Sequence, residues 1–170
     1  MIPRRLGLLA VLVVLSISTS LASNTWVVRE DGIGPVKIGM RLSQLNTVLD
    51  ETFSKPDGDD DQGCFYVNPT KHTNVAFMIE NGRLARIEVN AKGVSTAEGI
   101  QVGDSEVHAL QVYGPRLKVE PQAYTGPEGH YLTVRSKDGR YGIRFETEKG
   151  KIEMFYAGSI KAIQYIEGCE

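Results

Sequence analysis

Apolar and polar residues recur along this chain with two different periods, and the switches between them outline a fold. After Gly39, Leu42, Leu45, Val48 and Leu49 fall at three- and four-residue spacing, which predicts a helix with one apolar stripe. Val107, Leu110, Val112 and Tyr113 predict a second helix. Asp104-Ser105-Glu106 starts it, with Asp104 or Ser105 as N-cap, and Gly114-Pro115 stops it.

Elsewhere the period is two. Trp26 to Arg29 predicts a short strand, and Cys64 to Val67 begins extended sequence that Pro69 breaks. Val75 to Glu80 and Arg83 to Val89 flank Asn81-Gly82, a hairpin signal because both turn positions take positive φ. Tyr131 to Ser136, Arg140 to Thr147 and Lys151 to Tyr156 predict a meander turning at Asp138-Gly139 and Lys149-Gly150. Ile160 to Ile166 reads as a last strand, and residues 116 to 130, punctuated by Pro and Gly, read as loop.

The order of elements occurs twice. Gly39 matches Gly103 at an offset of 64 and Gly82 matches Gly150 at an offset of 68, with the four extra residues placed in the intervening loop. The expected fold class is α+β: two tandem helix-plus-antiparallel-meander repeats, residues 23–98 and 99–170, forming one compact unit with the helices on one sheet face. Alternation sets Ala85, Ile87 and Val89 opposite Arg86 and Glu88, and Tyr141, Ile143 and Phe145 opposite Arg140, Arg144 and Glu146. The helix-free face is expected to be open, and Met78, Arg86, Glu88, Arg144 and Glu146 on it form the candidate binding face.

Composition adds a compartment. Arg4 and Arg5, the apolar run Leu6 to Leu15 and small residues at Ser20 and Ala22 have the layout of a secretory signal, residues 1–22. The run is too short for a spanning helix, so no membrane insertion is expected once the signal is removed. Leu21-Ala22-Ser23 is followed by Asn24 where a lipidated Cys would stand, which argues against a lipid anchor. Removing Arg4 and Arg5 from the 19 basic residues leaves 17 against 21 acidic ones, a net charge near -4 that gives no footprint for nucleic acid. The two cysteines, Cys64 and Cys169, both lie in the exported part, and an even count in an oxidising compartment predicts a disulfide.

Three stretches carry candidate chemistry. Asp57, Asp59 and Asp61 have the alternate spacing that opens a calcium loop, but Gln62 displaces the required Gly and Asn68 stands where the closing Glu belongs. That excludes an EF-hand and leaves a looser calcium site against a solvated acidic loop. Gly103-Asp104-Ser105 has the serine block of one esterase class, yet Glu106 replaces its apolar residue, no Asp-x-x-His follows, and a capped helix start uses the same residues. His72, His108 and His130 are scattered without ligand spacing, and no metal or cofactor is assigned to them.

Ile38-Gly39-Met40, followed by a short helix, a variable loop and a meander, resembles the small repeat of the β-lactamase inhibitory proteins and of the outer-membrane-assembly lipoprotein BamE (SmpA/OmlA-like). The paired arrangement resembles the inhibitors, which carry two such units. The departures are the single cysteine pair, where the inhibitors have one disulfide per repeat, and the missing lipidated Cys. The resemblance implies the fold and a binding role, with no site residue carried over. The expectation is a non-catalytic, periplasmic or secreted protein-binding module of the bacterial envelope, inhibitor-like, with an envelope or extracellular protein as partner. The alternatives are a structural or assembly component of the envelope and, further off, an unrecognised hydrolase.

Overall fold

The structure, a computed structural model, describes residues 26–56 and 63–169. Its elements run β1 (Val27–Arg29), β2 (Gly32–Ile33), β3 (Val36–Lys37), α1 (Leu42–Leu49), β4 (Cys64–Val67), β5 (Val75–Glu80), β6 (Arg83–Val89) and β7 (Ser95–Thr96). After these come α2 (Glu106–Tyr113), a 3₁₀ turn (Gly114–Arg116), β8 (Lys118–Gln122), β9 (Gly126–Arg135), β10 (Tyr141–Glu148), β11 (Lys151–Ser159) and a second 3₁₀ turn (Ala162–Gln164). Among the described residues the class is α+β, with two helices and two sheets.

The larger sheet has seven strands in the order β4-β5-β6-β11-β10-β9-β8, so the two meanders meet at their last strands. There β6 and β11 pair antiparallel, from Phe155 opposite Val89 to Gly158 opposite Arg86. Of the smaller sheet, β3-β2-β1-β7, the sequence predicts β1 within Trp26 to Arg29, whereas β2, β3 and β7 are two residues long and leave no period to read.

Each helix is anchored to a meander by the same backbone bonds. Gly39 N–H donates to Leu84 O (2.7 Å), Leu84 N–H to Met40 O (2.8 Å) and Leu42 N–H to Gly82 O (3.2 Å). Further along, Gly103 N–H donates to Ile152 O (2.8 Å), Ile152 N–H to Asp104 O (2.9 Å) and Glu106 N–H to Gly150 O (2.9 Å). Gly39 and Gly103 hold φ of 90° and 92°, which only glycine adopts without strain. The turns correspond as well: Asn81-Gly82 has φ of 52° and 73°, Lys149-Gly150 has 49° and 75°. Both hairpins are type I′-like, and both carry an irregularity in register, at Met78/Ile79 and at Glu146/Thr147.

One core fills the space between the helices and the sheet. Leu45 and Leu49 from α1, Ala109 and Tyr113 from α2, and Phe77, Ile79, Ile87, Leu132, Val134, Ile143, Phe145 and Phe155 from the strands belong to a single buried cluster. Apolar area removed from water on this scale, at about 25 cal/mol per Å², is the main stabilising term. Tyr113 also ties α2 to the small sheet, its hydroxyl 2.9 Å from Thr96 Oγ1 and 3.0 Å from Glu98 Oε2.

Four expectations are corrected. Val48, Val107, Leu110 and Val112 are exposed, Val107 at 61%; the stripe of α2 that meets the sheet is Ala109–Tyr113. Residues 116–130 are not all loop, because β8 adds an edge strand, where the missing N–H of Pro121 is tolerated. Ile160–Ile166 is not a strand; it contains the second 3₁₀ turn and packs Ala162 and Ile163 fully inside. The helix-free sheet face is not open throughout, since this C-terminal segment lies across part of it. Residues 1–22 and the calcium candidates Asp57, Asp59 and Asp61 lie outside the described residues.

Candidate functional site

Strand register collects the predicted polar residues on one face. Tyr66 of β4 lies opposite Met78 of β5, and Met78 opposite Arg86 of β6. In the next row Glu88 of β6 lies opposite Tyr156 of β11, Tyr156 opposite Arg144 of β10, and Arg144 opposite Thr133 of β9. A third row runs from Met154 through Glu146 and Tyr131 to Glu120 of β8. Met78, Arg86, Glu88, Arg144 and Glu146 therefore share the face, as the period of two requires.

Their exposure differs from the expectation. Met78 is 0% exposed, Arg86 3% and Arg144 4%, so the two guanidinium groups are internal rather than offered to a partner. A charge so placed has to be paired and hydrogen-bonded. Arg86 Nε donates to Glu88 Oε1 at 2.8 Å and its Nη2 also meets that carboxylate. Nη1 donates to Ala162 O (3.2 Å) and Tyr165 O (2.9 Å), Nη2 donates to Tyr66 Oη (3.0 Å), and the guanidinium lies 4.5 Å from the Tyr156 ring centroid. Burial opposes the charge of Arg86, but Glu88 and Tyr66 outweigh it and its pKa is raised.

Arg144 has a parallel arrangement. Its Nε donates to Thr133 Oγ1 (3.0 Å) and its Nη2 to Gln164 Oε1 (2.9 Å), with Glu120 Oε2 at 3.5 Å and the Tyr131 ring 4.7 Å away. Glu146 accepts from Tyr156 Oη (2.9 Å) and lies 3.5 Å from Gln122 Nε2.

The phenols complete the network. Tyr66 Oη donates to Glu88 Oε1 at 2.6 Å, and burial followed by that carboxylate pushes its pKa up to about 12. Burial and Glu146 raise that of Tyr156 further. Among the described residues, the buried side-chain polar atom without a hydrogen-bond partner is Tyr131 Oη.

Alternation alone could not give the role of Tyr66, Thr133, Glu120, Gln122 or Gln164. Tyr66 sits in a four-residue strand, Glu120 and Gln122 fall in a stretch with loop composition, and Gln164 reaches the face only through the 3₁₀ turn.

The remaining candidates fall elsewhere. Cys64 and Cys169 form the disulfide, closing a sequence separation of 105, which suggests a non-cytoplasmic compartment. Ser105 Oγ accepts from His108 N–H (3.1 Å), so it serves as the N-cap of α2. His130 Nδ1 lies 3.0 Å from Glu106 Oε2, which also accepts from Thr147 Oγ1 (2.8 Å), pinning the start of α2 to the sheet. His72 stacks on Trp26. Among the described residues no cluster of three His, Cys, Asp or Glu side chains is placed to hold a metal, and no helix is long and apolar enough to cross a membrane. Comparison of the chain with protein-family models, with curated proteins and with solved structures finds no match.

Proposed function

We propose that this chain is an exported, non-catalytic protein-binding module of the bacterial envelope, periplasmic or secreted. It is built from two copies of one helix-plus-meander unit, and its contact surface is the part of the polar sheet face outside the C-terminal segment. The repeat reading is supported by the matched backbone bonds, turns and register irregularities 64 to 68 residues apart. The binding reading rests on one observation. Fixed guanidinium groups and phenols, with Lys118, hold Glu120 and Glu146 in place, while Gln122 and Met154 beside them keep partial exposure. A face ordered in advance loses little side-chain entropy on association.

The accessible charged groups are of both signs, Glu120 being paired at 2.8 Å with the exposed Lys118, so the fitting partner is a protein segment that presents polar side chains and backbone hydrogen-bonding groups around one or two charges. The likeness to the two-unit β-lactamase inhibitory proteins favours this class of role. The test is affinity capture from an envelope extract with the oxidised protein, alongside a Glu120→Lys, Met154→Lys variant. Capture of one reproducible partner, weakened tenfold or more by the variant, is the expected result. Equal capture by both removes the face from consideration. A permeability defect on deletion, without such a partner, favours the structural or assembly role instead.

A further inference from the structure

The C-terminal segment is held on the polar face in two different ways. Up to Tyr165 it is well bonded: Ala162 and Ile163 are fully buried, Arg86 donates to Ala162 O and Tyr165 O, and Tyr165 Oη donates to Glu80 Oε1 at 3.0 Å. Beyond Tyr165 the bonding stops. Among the described residues, Ile166, Glu167, Gly168 and Cys169 make no hydrogen bond, and Ile166 and Glu167 are exposed.

Gly168 nevertheless lies directly on the Tyr66–Arg86–Glu88 cluster. A Cβ there would collide with Tyr66 Oη and come within 3.3 Å of Arg86 Nη2. The covalent Cys64–Cys169 bond ties down the end of this tail, where Gly168 is buried and Cys169 packs against Met78, Ala85 and Ala162. A cleft of about 370 Å³ opens beside it, lined by both half-cystines with Glu80, Tyr165, Ile166 and Glu167.

We propose that the Cys64–Cys169 disulfide is a releasable clasp, opened by a small dithiol or a dithiol protein through this cleft, and that Ile166–Cys169 then leaves the Tyr66–Arg86–Glu88 cluster while the sheet stays folded. A thiolate of the reductant attacks one half-cystine sulfur and the other leaves as a thiolate. The second thiol of the reductant then displaces the mixed disulfide. The reductant ends as a disulfide, and two electrons and two protons end on Cys64 and Cys169. Arg86 keeps Glu88 and its carbonyl partners, but Tyr66 Oη and Arg86 Nη2 become reachable. The clasp is independent of which partner the face takes.

Two measurements test it. Oxidised protein is treated with dithiothreitol without denaturant, and free thiols are trapped and weighed; both cysteines are expected to be trapped. Reduction that needs denaturant overturns the proposal. Hydroxyl-radical footprinting then compares the oxidised chain with a Cys64→Ser, Cys169→Ser variant. Oxidation of Tyr66 is expected to rise severalfold, with Phe77, Phe145 and Phe155 unchanged. Unchanged Tyr66 labelling means the tail stays down without its bond and sinks the idea. If the serine variant itself loses its fold, the same footprint on the reduced and alkylated native chain decides, and a rise at the three phenylalanines there is equally fatal.

Discussion

Arg86 donates a hydrogen bond to the carbonyl oxygen of Tyr165 at 2.9 Å, across 79 residues of sequence. That bond fastens the chain's C-terminal segment to β6, the strand beside the central β11. Arg86→Ala leaves Glu88 without its cation and two carbonyls without a donor, and removing one member of a buried pair costs about 3–5 kcal/mol. Urea unfolding is expected to register a loss of that order. Pairing it with Glu88→Gln should cost less than the two single changes added together, since the groups share one network. Strict additivity would mean that the pair is not energetically coupled.

Tyr131 behaves in the opposite sense. Its hydroxyl is buried without a partner, and such a group costs about 1–3 kcal/mol. Tyr131→Phe is therefore expected to raise stability, by about 1 kcal/mol, while keeping the ring under Arg144. A destabilised phenylalanine variant would show that the hydroxyl finds an acceptor in solution.

The disulfide closes a long loop. Chain-entropy reasoning gives about 4–5 kcal/mol for a separation of this size, acting mainly on the unfolded chain. Replacing Cys64 and Cys169 by Ala should lower the midpoint of thermal unfolding by roughly 10 °C or more. Calorimetry of both forms measures it, and an unchanged midpoint contradicts the estimate.

Acid should be felt at His72. Its ring centroid lies 3.4 Å from that of Trp26, and burial holds its pKa below the ordinary histidine value. A pKa lowered by folding means that the unfolded chain takes up the proton first. Stability is then complete above about pH 6.5 and falls as pH drops from there through the lower folded value. Trp26 is the only tryptophan, so its fluorescence reports the titration directly. The expected midpoint is below about 6.5, and His72→Asn should flatten the curve.

The two apolar rows of α2 separate packing from pattern. Tyr113→Ala removes a buried ring and is expected to cost about 3–5 kcal/mol. Val107→Ser changes an exposed side chain and should stay within about 0.5 kcal/mol. Equal losses from chemical denaturation would place Val107 in a contact absent from the isolated chain.

These contrasts locate what the sequence could convey. The Asn81-Gly82 hairpin was legible because two adjacent positive-φ positions leave few other conformations, and Lys149-Gly150 repeats it. The polar face was legible because a period of two fixes which residues share a side. Burial of Arg86 and Arg144 was not legible, since it depends on Ala162, Gln164 and Tyr165, which arrive from another part of the chain. The covered stripe of α2 is not legible, because Val107 and Leu110 have helical spacing too and only the sheet beneath decides which row is covered. Edge strand β8 is not legible, because Pro121 and its charged neighbours have loop composition until an edge position makes them acceptable.

The cysteine bond also changes what it means to cut this chain. Cys64 and Cys169 stand on either side of every peptide bond from β4 to the C-terminal segment, including the 90–98 link that precedes the second helix. A protease that nicks this link separates two stretches of backbone but releases neither. They stay joined by one covalent bond and by the β6–β11 seam, so the nicked molecule keeps its mass until a reductant is added. A cut anywhere between the two cysteines is thus recorded as a hidden break, visible only after reduction.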